Sequence, residues 1–139
     1  NVVHRNLYKV HQRVAATFRK GRVLLAGDSA HVNNSVGGLG LNSGIHDAME
    51  LVDTLHQIIT KKADESLFDR YTRRRRTSNI ESVQEQTIAN KKRLEERDPK
   101  ARAAQFDLLR ATAEDPKRHK EFLLRTSLIA SVRKAQDIA

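Results

Sequence analysis

The placement of glycine constrains this chain more than any other feature. All six glycines fall between Gly21 and Gly44, and none occurs from Ile45 to Ala139. A glycine costs about 1 kcal/mol in a helix interior, so a long stretch without one is free to be helical. A glycine cluster marks a loop with unusual backbone angles, or one that a ligand approaches closely. The chain therefore reads as a loop-bearing front, residues 1–60, and a helical back, residues 61–139. Its 139 residues suit one modest domain, and 38% hydrophobic residues, 4% aromatics and no Trp leave it thin in core material.

Absent residue types narrow the chemistry. With no cysteine, a disulfide scaffold, thiolate metal sites, iron–sulfur clusters and cysteine nucleophiles are excluded, and a reducing, cytoplasmic setting is expected. No apolar run approaches the ~20 residues that cross a bilayer. Asn1-Val2-Val3-His4 holds neither an initiator Met nor a signal pattern, so a piece of a longer protein is expected. The net charge of +9 is concentrated in the back, with six Lys/Arg against four Asp/Glu through residue 60 and 20 against 13 beyond it. A basic half can meet nucleic acid or another polyanion, but interspersed acids also describe a solvated helical surface. Arg73 to Arg76 point around most of a helix circumference and form no flat nucleic-acid face. They read as a solvated turn that anchors one part of the protein to another.

Local patterns fill in the two halves. Arg22-Val23-Leu24-Leu25-Ala26, bounded by glycines, predicts a short buried strand. Leu7 to Phe18 fits a strand or a short helix; with Tyr8, Val10 and Val14 on one face, strand is preferred. From Asn42, capped by Asn42 or Ser43, a helix is predicted with Ile45, Ala48, Met49, Val52, Leu55 and Ile59 on its core face. That pattern leaves His46, Asp47, Glu50, Asp53 and Gln57 on the other side, with Asp47 and Glu50 suiting the positive helix end. A second helix is predicted from Ser66 through Leu94, with a break near Thr77-Ser78-Asn79. Asp98-Pro99 and Asp115-Pro116 each place a cap before a proline, which predicts helices at 99–112 and 116–134.

The loop from Gly27 to Gly44 joins a strand end to a helix start, a place that offers unpaired amides and the positive end of a helix dipole. No Gly-Lys-Ser/Thr follows the glycines, so a Walker phosphate loop is excluded. A dinucleotide fingerprint fits badly: after Gly38-Leu39-Gly40 the next glycine, Gly44, comes one position late. A third reading divides the labour. Asp28 at the strand end accepts hydrogen bonds from ligand hydroxyls, and Gly40 to Asn42 present amides to an anionic or carbonyl group. His31 and His46 match no established metal-ligand spacing, so no metal site is assigned. Chain order alone supports no catalytic assignment.

Gly21-Arg-Val-Leu-Leu-Ala-Gly-Asp-Ser-Ala-His31 followed by Gly37-Gly-Leu-Gly-Leu-Asn-Ser-Gly-Ile-His-Asp-Ala48 resembles the second flavin-binding motif of the FAD-dependent aromatic hydroxylases of the p-hydroxybenzoate hydroxylase type. The likeness extends over roughly residues 7–76, taking in Tyr8-Lys-Val-His-Gln-Arg-Val-Ala15 and Leu67-Phe-Asp-Arg-Tyr71. The resemblance implies that Asp28 binds the ribityl chain of FAD, and that Gly38, Gly40, Leu41 and Asn42 belong to the cofactor site. Amides of Gly40, Leu41 and Asn42 would then lie near the flavin N1 and C2 carbonyl. It places His31 near the flavin without a chemical role. It also implies an enzyme that uses NAD(P)H and O2 to hydroxylate an aromatic substrate, with FAD carrying the oxygen chemistry.

The sequence departs from the family where prolines give way to Asn34 and Ser35, and where Glu-Arg-Arg-Pro gives way to Arg74-Arg75-Arg76-Thr77. The family's amino-terminal glycine fingerprint does not occur in these residues. The expected fold is thus predominantly α with a short β segment, a C-terminal fragment of an α/β FAD-binding (glutathione-reductase-like) fold. Residues 1–60 form a partial FAD-binding segment and residues 61–139 a basic helical region. Expected partners are an aromatic small molecule and the remainder of the flavin domain or another subunit, with a homo-oligomer as an option, and without nucleic acid or membrane. The competing reading is a non-catalytic basic helical module that binds a partner protein or polyanion.

Overall fold

The computed structural model of the chain describes residues 3–7 and 9–139. Asn1, Val2 and Tyr8, the last of which was assigned to a strand face from the sequence, lie outside the described residues. Among the described residues, four two-residue strands make two antiparallel pairs. β1 (Arg13–Val14) pairs with β4 (His31–Val32), Val14 standing opposite His31. β2 (Arg19–Lys20) and β3 (Val23–Leu24) form a hairpin turned at Gly21. The strand expected over Leu7 to Phe18 shrinks to β1. The segment expected to be a buried strand is not buried either: Val23 is 66% exposed. Among the described residues β3 has only β2 beside it, so its other edge stays unpaired.

Phe18, Ala30 and Tyr71 are the core of this front half, with Val14, Leu24, Leu25 and Leu51 packed on them. The Tyr71 hydroxyl donates to the Leu25 carbonyl oxygen at 2.7 Å, tying the end of the hairpin to the helical half. Burial, with Asp47 nearby, pushes the Tyr71 phenol well above its ordinary value, so it stays a donor.

Helix α1 (Leu39–Lys61) starts three residues before the expected cap. Gly38, at φ 64, makes the left-handed turn into it, and Leu39 is buried against Val83 and Leu128, which sets the start. The larger correction concerns its faces. Ser43, Asp47 and Thr54 are buried, whereas Ile45, Met49, Val52 and Ile59 are 49% or more exposed. A polar face is tolerable inside because every group on it is matched: Ser43 Oγ donates to Asn79 Oδ1 at 2.8 Å, and Thr54 Oγ1 donates to the Glu50 carbonyl.

The helix predicted from Ser66 to Leu94 is present as α2 (Leu67–Ser78), a π-helical turn (Asn79–Gln84) and α3 (Glu85–Glu95). Where a break was expected, the hydrogen-bond register widens instead, and Asn79 is brought to the interior. Both Asp-Pro starts hold. Asp98 caps α4 (Pro99–Glu114) by accepting from the Ala101 N–H, and Asp115 caps α5 (Pro116–Thr126) by accepting from Lys117 and Arg118. The helix expected over 116–134 is interrupted at Leu128, whose φ of 62 turns its side chain into the cluster with Leu39 and Val83 before α6 (Ile129–Gln136) begins.

Arg73 to Arg76 are anchors, and only Arg73 is exposed; Arg74 and Arg76 are half-buried and Arg75 is buried. The guanidinium of Arg73 donates to the Ala139 carbonyl, and that of Arg74 donates to Gln136 and Ile138 carbonyls and to Glu50. Arg75 reaches Asp47 and Arg76 the Ala15 carbonyl. Four consecutive residues thus tie α2 to the β segment, α1 and the tail, as their spread around the helix requires. Among the described residues no helix is long and apolar enough to cross a membrane.

Candidate functional site

The Gly27-Asp28 pair lies in a single 3-10 turn (Gly27–Ser29) directly after the hairpin. The turn is held from inside: the Gly27 N–H donates to Asp47 Oδ2 at 2.9 Å, and Ser29 Oγ donates to the Ala26 carbonyl at 2.8 Å. The Asp28 side chain, by contrast, is left exposed. Helix α1 passes so close to this turn that a Cβ on Gly44 would sit 3.4 Å from the Gly27 Cα. This close approach explains a glycine inside a helix.

A cavity of about 520 Å³ opens where the turn meets the helix start. Ala26, Gly27 and Asp28 form one wall, and Gly40, Leu41, Gly44, Ile45 and Ala48 form the other. Of the residues expected from sequence, Asp28, Gly40 and Leu41 are brought together here. Gly38 and Asn42 are not in the wall: Gly38 forms the cap of α1, and Asn42 Nδ2 donates back to the Gly38 carbonyl at 3.0 Å. Sequence reasoning missed Gly44, whose signal was a glycine placed on a helical period. It also missed Ile45 and Ala48, which were assigned to the core.

Leu39, Gly40 and Leu41 are the first three helical residues, so their N–H groups have no carbonyl one turn back to bond. The first turn of α1 carries no acidic residue. Its positive end is therefore free to meet an anionic or carbonyl oxygen beside an exposed carboxylate that accepts from hydroxyls.

Behind the turn lies a buried polar cluster. Asp47, fully buried, accepts at Oδ2 from Gly27 and from His31 Nε2 (2.7 Å), and at Oδ1 from Arg75 Nε (2.7 Å). Asn79 Nδ2 approaches the same Oδ1 at 3.5 Å. Burial by itself would raise the Asp47 carboxyl. The bond from His31, the charge and bond of Arg75 and the Gly27 N–H outweigh it and hold Asp47 below the ordinary carboxylate range. His31, 2% exposed, thus faces the interior and is not part of the cavity wall. His46 is held below the usual imidazole value by burial and by Arg75. No group of side chains suited to a metal ion occurs among the described residues.

The donor set suits a flavin nucleotide: an exposed carboxylate for a polyol, helix-start amides for a ring carbonyl, and glycines where the walls are closest. Comparison with known proteins agrees. The family profile described as FAD binding domain matches residues 1–86. Para-nitrophenol 4-monooxygenase of Pseudomonas sp. (strain WBC-3) is 40% identical over 123 residues, covering 88% of this chain and 30% of that protein. The crystal structure of p-nitrophenol 4-monooxygenase PnpA from Pseudomonas putida DLL-E4 superposes with a TM-score of 0.80 at 40% identity, over 86% of this chain and 31% of that one. The rebeccamycin biosynthetic enzyme RebC, solved with reduced flavin, gives 0.57 at 30% identity, over 91% and 23%. The chain thus spans about a third or less of the length of these relatives. With a matching profile over more than half its residues and a glycine–aspartate turn set against an open helix start, the chain belongs to the FAD binding domain family.

Proposed function

We propose that this chain is the part of an FAD-dependent aromatic monooxygenase that receives the polyol and ring-carbonyl end of the cofactor. The observation that supports it is the shared cavity: Asp28 borders one space with Gly40 and Leu41, whose N–H groups in the first turn of α1 have no intrahelical partner. Bound FAD would supply the redox and oxygen chemistry, with NAD(P)H as reductant and O2 as co-substrate for hydroxylation of an aromatic ring. The protein's share is binding and electrostatics. Asp28 accepts from the cofactor's hydroxyls, and Gly40 and Leu41 donate to ring oxygen. The dipole of α1 favours negative charge placed at its start. Gly38 serves by shaping that start and Asn42 by bonding its carbonyl, both at one remove from the ligand.

The exposed apolar row of α1, Leu41, Ile45, Met49, Val52 and Ile59, is the surface through which residues 1–60 meet the remainder of a flavin domain. Arg73 to Arg76 are used in internal contacts, which takes the strongest basic cluster away from a polyanion-binding reading. The test is FAD titration of the full-length protein. Asp28→Ala weakens FAD retention, and unchanged affinity overturns the reading. The chain alone, lacking the rest of the site, binds little or no FAD; a stoichiometric yellow preparation contradicts that narrower statement.

A further inference from the structure

Residues 33–38, which carry the chain from β4 to α1, have no strand pairing; a turn bond from the Gly38 N–H to the Ser35 carbonyl (3.1 Å) is their own backbone contact. Side chains supply the rest, and most of it runs through Asn34. Asn34 is 7% exposed. Its backbone N–H and its Nδ2 both donate to Gln12 Oε1 (3.3 and 2.7 Å), Nδ2 also donates to the Thr87 carbonyl (3.1 Å), and Oδ1 accepts from the Val36 N–H (3.1 Å). Gln12 is in turn oriented by α3, its Nε2 donating to Thr87 Oγ1 at 2.8 Å. Three residues further on, the loop is pressed on the same helix: a Cβ on Gly37 would come within 2.7 Å of Asn90 Nδ2. On the opposite side, Asn33 Oδ1 lies 3.4 Å from where a Cβ on Gly40 would be. The loop is thus bolted to α3 from behind while its front edge becomes the first turn of α1.

We propose that Asn34, through Gln12 and Thr87, is a positioning residue that holds this loop so that the Gly40 and Leu41 amides face the cavity before the cofactor arrives. The inference rests on the flavin reading given above. Its physical basis is preorganisation: a loop that contains two adjacent glycines, left loose, must be ordered by the ligand, and that ordering is subtracted from affinity. Asn34 touches no wall of the Asp28 cavity, so its effect on that ligand runs through the loop alone.

The experiment uses the full-length protein with Asn34→Ala, Gln12→Leu, the double variant, and Asp28→Ala as the reference for the flavin reading. Amide exchange, FAD titration and the visible absorption of bound flavin are measured on each. Asn34→Ala is expected to speed exchange over residues 33–38 and to weaken FAD binding about tenfold, the equivalent of losing roughly one buried hydrogen-bonding group. Exchange in α2 stays at its original rate, and the flavin band shifts because amides near the ring have moved. Gln12→Leu acts in the same direction but more weakly, because Asn34 keeps its bonds to Thr87 and Val36, and the double variant falls short of the sum of the two, since both remove one shared bond. Should Asn34→Ala fail to fold, Gln12→Leu, at a half-buried position, carries the same readouts. Faster loop exchange with FAD affinity and flavin band unchanged, while Asp28→Ala does weaken binding, overturns the inference alone. If Asp28→Ala also leaves affinity unchanged, the flavin reading falls and the inference with it.

Discussion

Asp47→Asn tests the buried cluster that supports the Asp28 turn. In the native protein both carboxylate oxygens are used, with Gly27 and His31 on one and Arg75 on the other, and the Arg75 side chain is only 5% exposed. The amide of Asn supplies one acceptor and turns a donor towards either Arg75 or the Gly27 N–H. A guanidinium is left buried without its counter-charge. Removing one partner of a buried ion pair costs about 3–5 kcal/mol. For a chain of 139 residues that corresponds to a fall in Tm of roughly 10–17 °C. Thermal unfolding followed by far-ultraviolet circular dichroism reads it directly.

The pH profile gives a second, independent sign. Asp47 has a folded value held below the 3.8 of a free aspartate. Its contribution is therefore complete above the unfolded value and is lost as pH falls through the lower, folded one. The native protein should lose stability in that acid window, and Asp47→Asn should show a flatter profile there. An Arg75→Met change added to Asp47→Asn should recover part of the loss, since removing both charges is less costly than stranding one. A loss under about 1 kcal/mol in the single variant would refute the reasoning, because a pair that dispensable is not desolvated.

Other consequences are simpler to measure. Leu128→Ala, at 2% exposure between Leu39 and Val83, should cost about 2–4 kcal/mol in urea denaturation and loosen the start of α1 in amide exchange. Gly27→Ala, at φ 59 and against α1, should destabilise more than Gly44→Ala, where a gain of up to about 1 kcal/mol in helix propensity offsets the crowding; equal losses would contradict the packing described. Asp115→Ala should speed amide exchange at Lys117 and Arg118, which it caps, without changing α2. In isolation the chain should self-associate through the open row of α1, and light scattering should show a lower mass for Met49→Lys.

Caps and turns were legible from local chemistry. Asp98-Pro99 and Asp115-Pro116 announced α4 and α5 because a carboxylate beside a free N–H needs nothing distant to act. The Gly27–Gly44 loop likewise announced a strand-to-helix junction with a carboxylate at one end, and three of the five expected cofactor residues line its cavity. What failed were inferences about which side faces in. Periodicity put Ile45, Met49 and Val52 in the core and Asp47 outside, and the fold reversed both.

Amino-acid order alone determined where α4 and α5 begin, which loop gathers the glycines and which chemistries are missing, since these depend on residue type and on neighbours a few bonds away. Only the tertiary structure decided that a carboxylate, an imidazole and a guanidinium share one interior cluster, and that four adjacent arginines grip different elements. The reason is that a buried charge is tolerable only with partners, and here His31, Asp47 and Arg75 lie on separate elements that no short-range pattern relates.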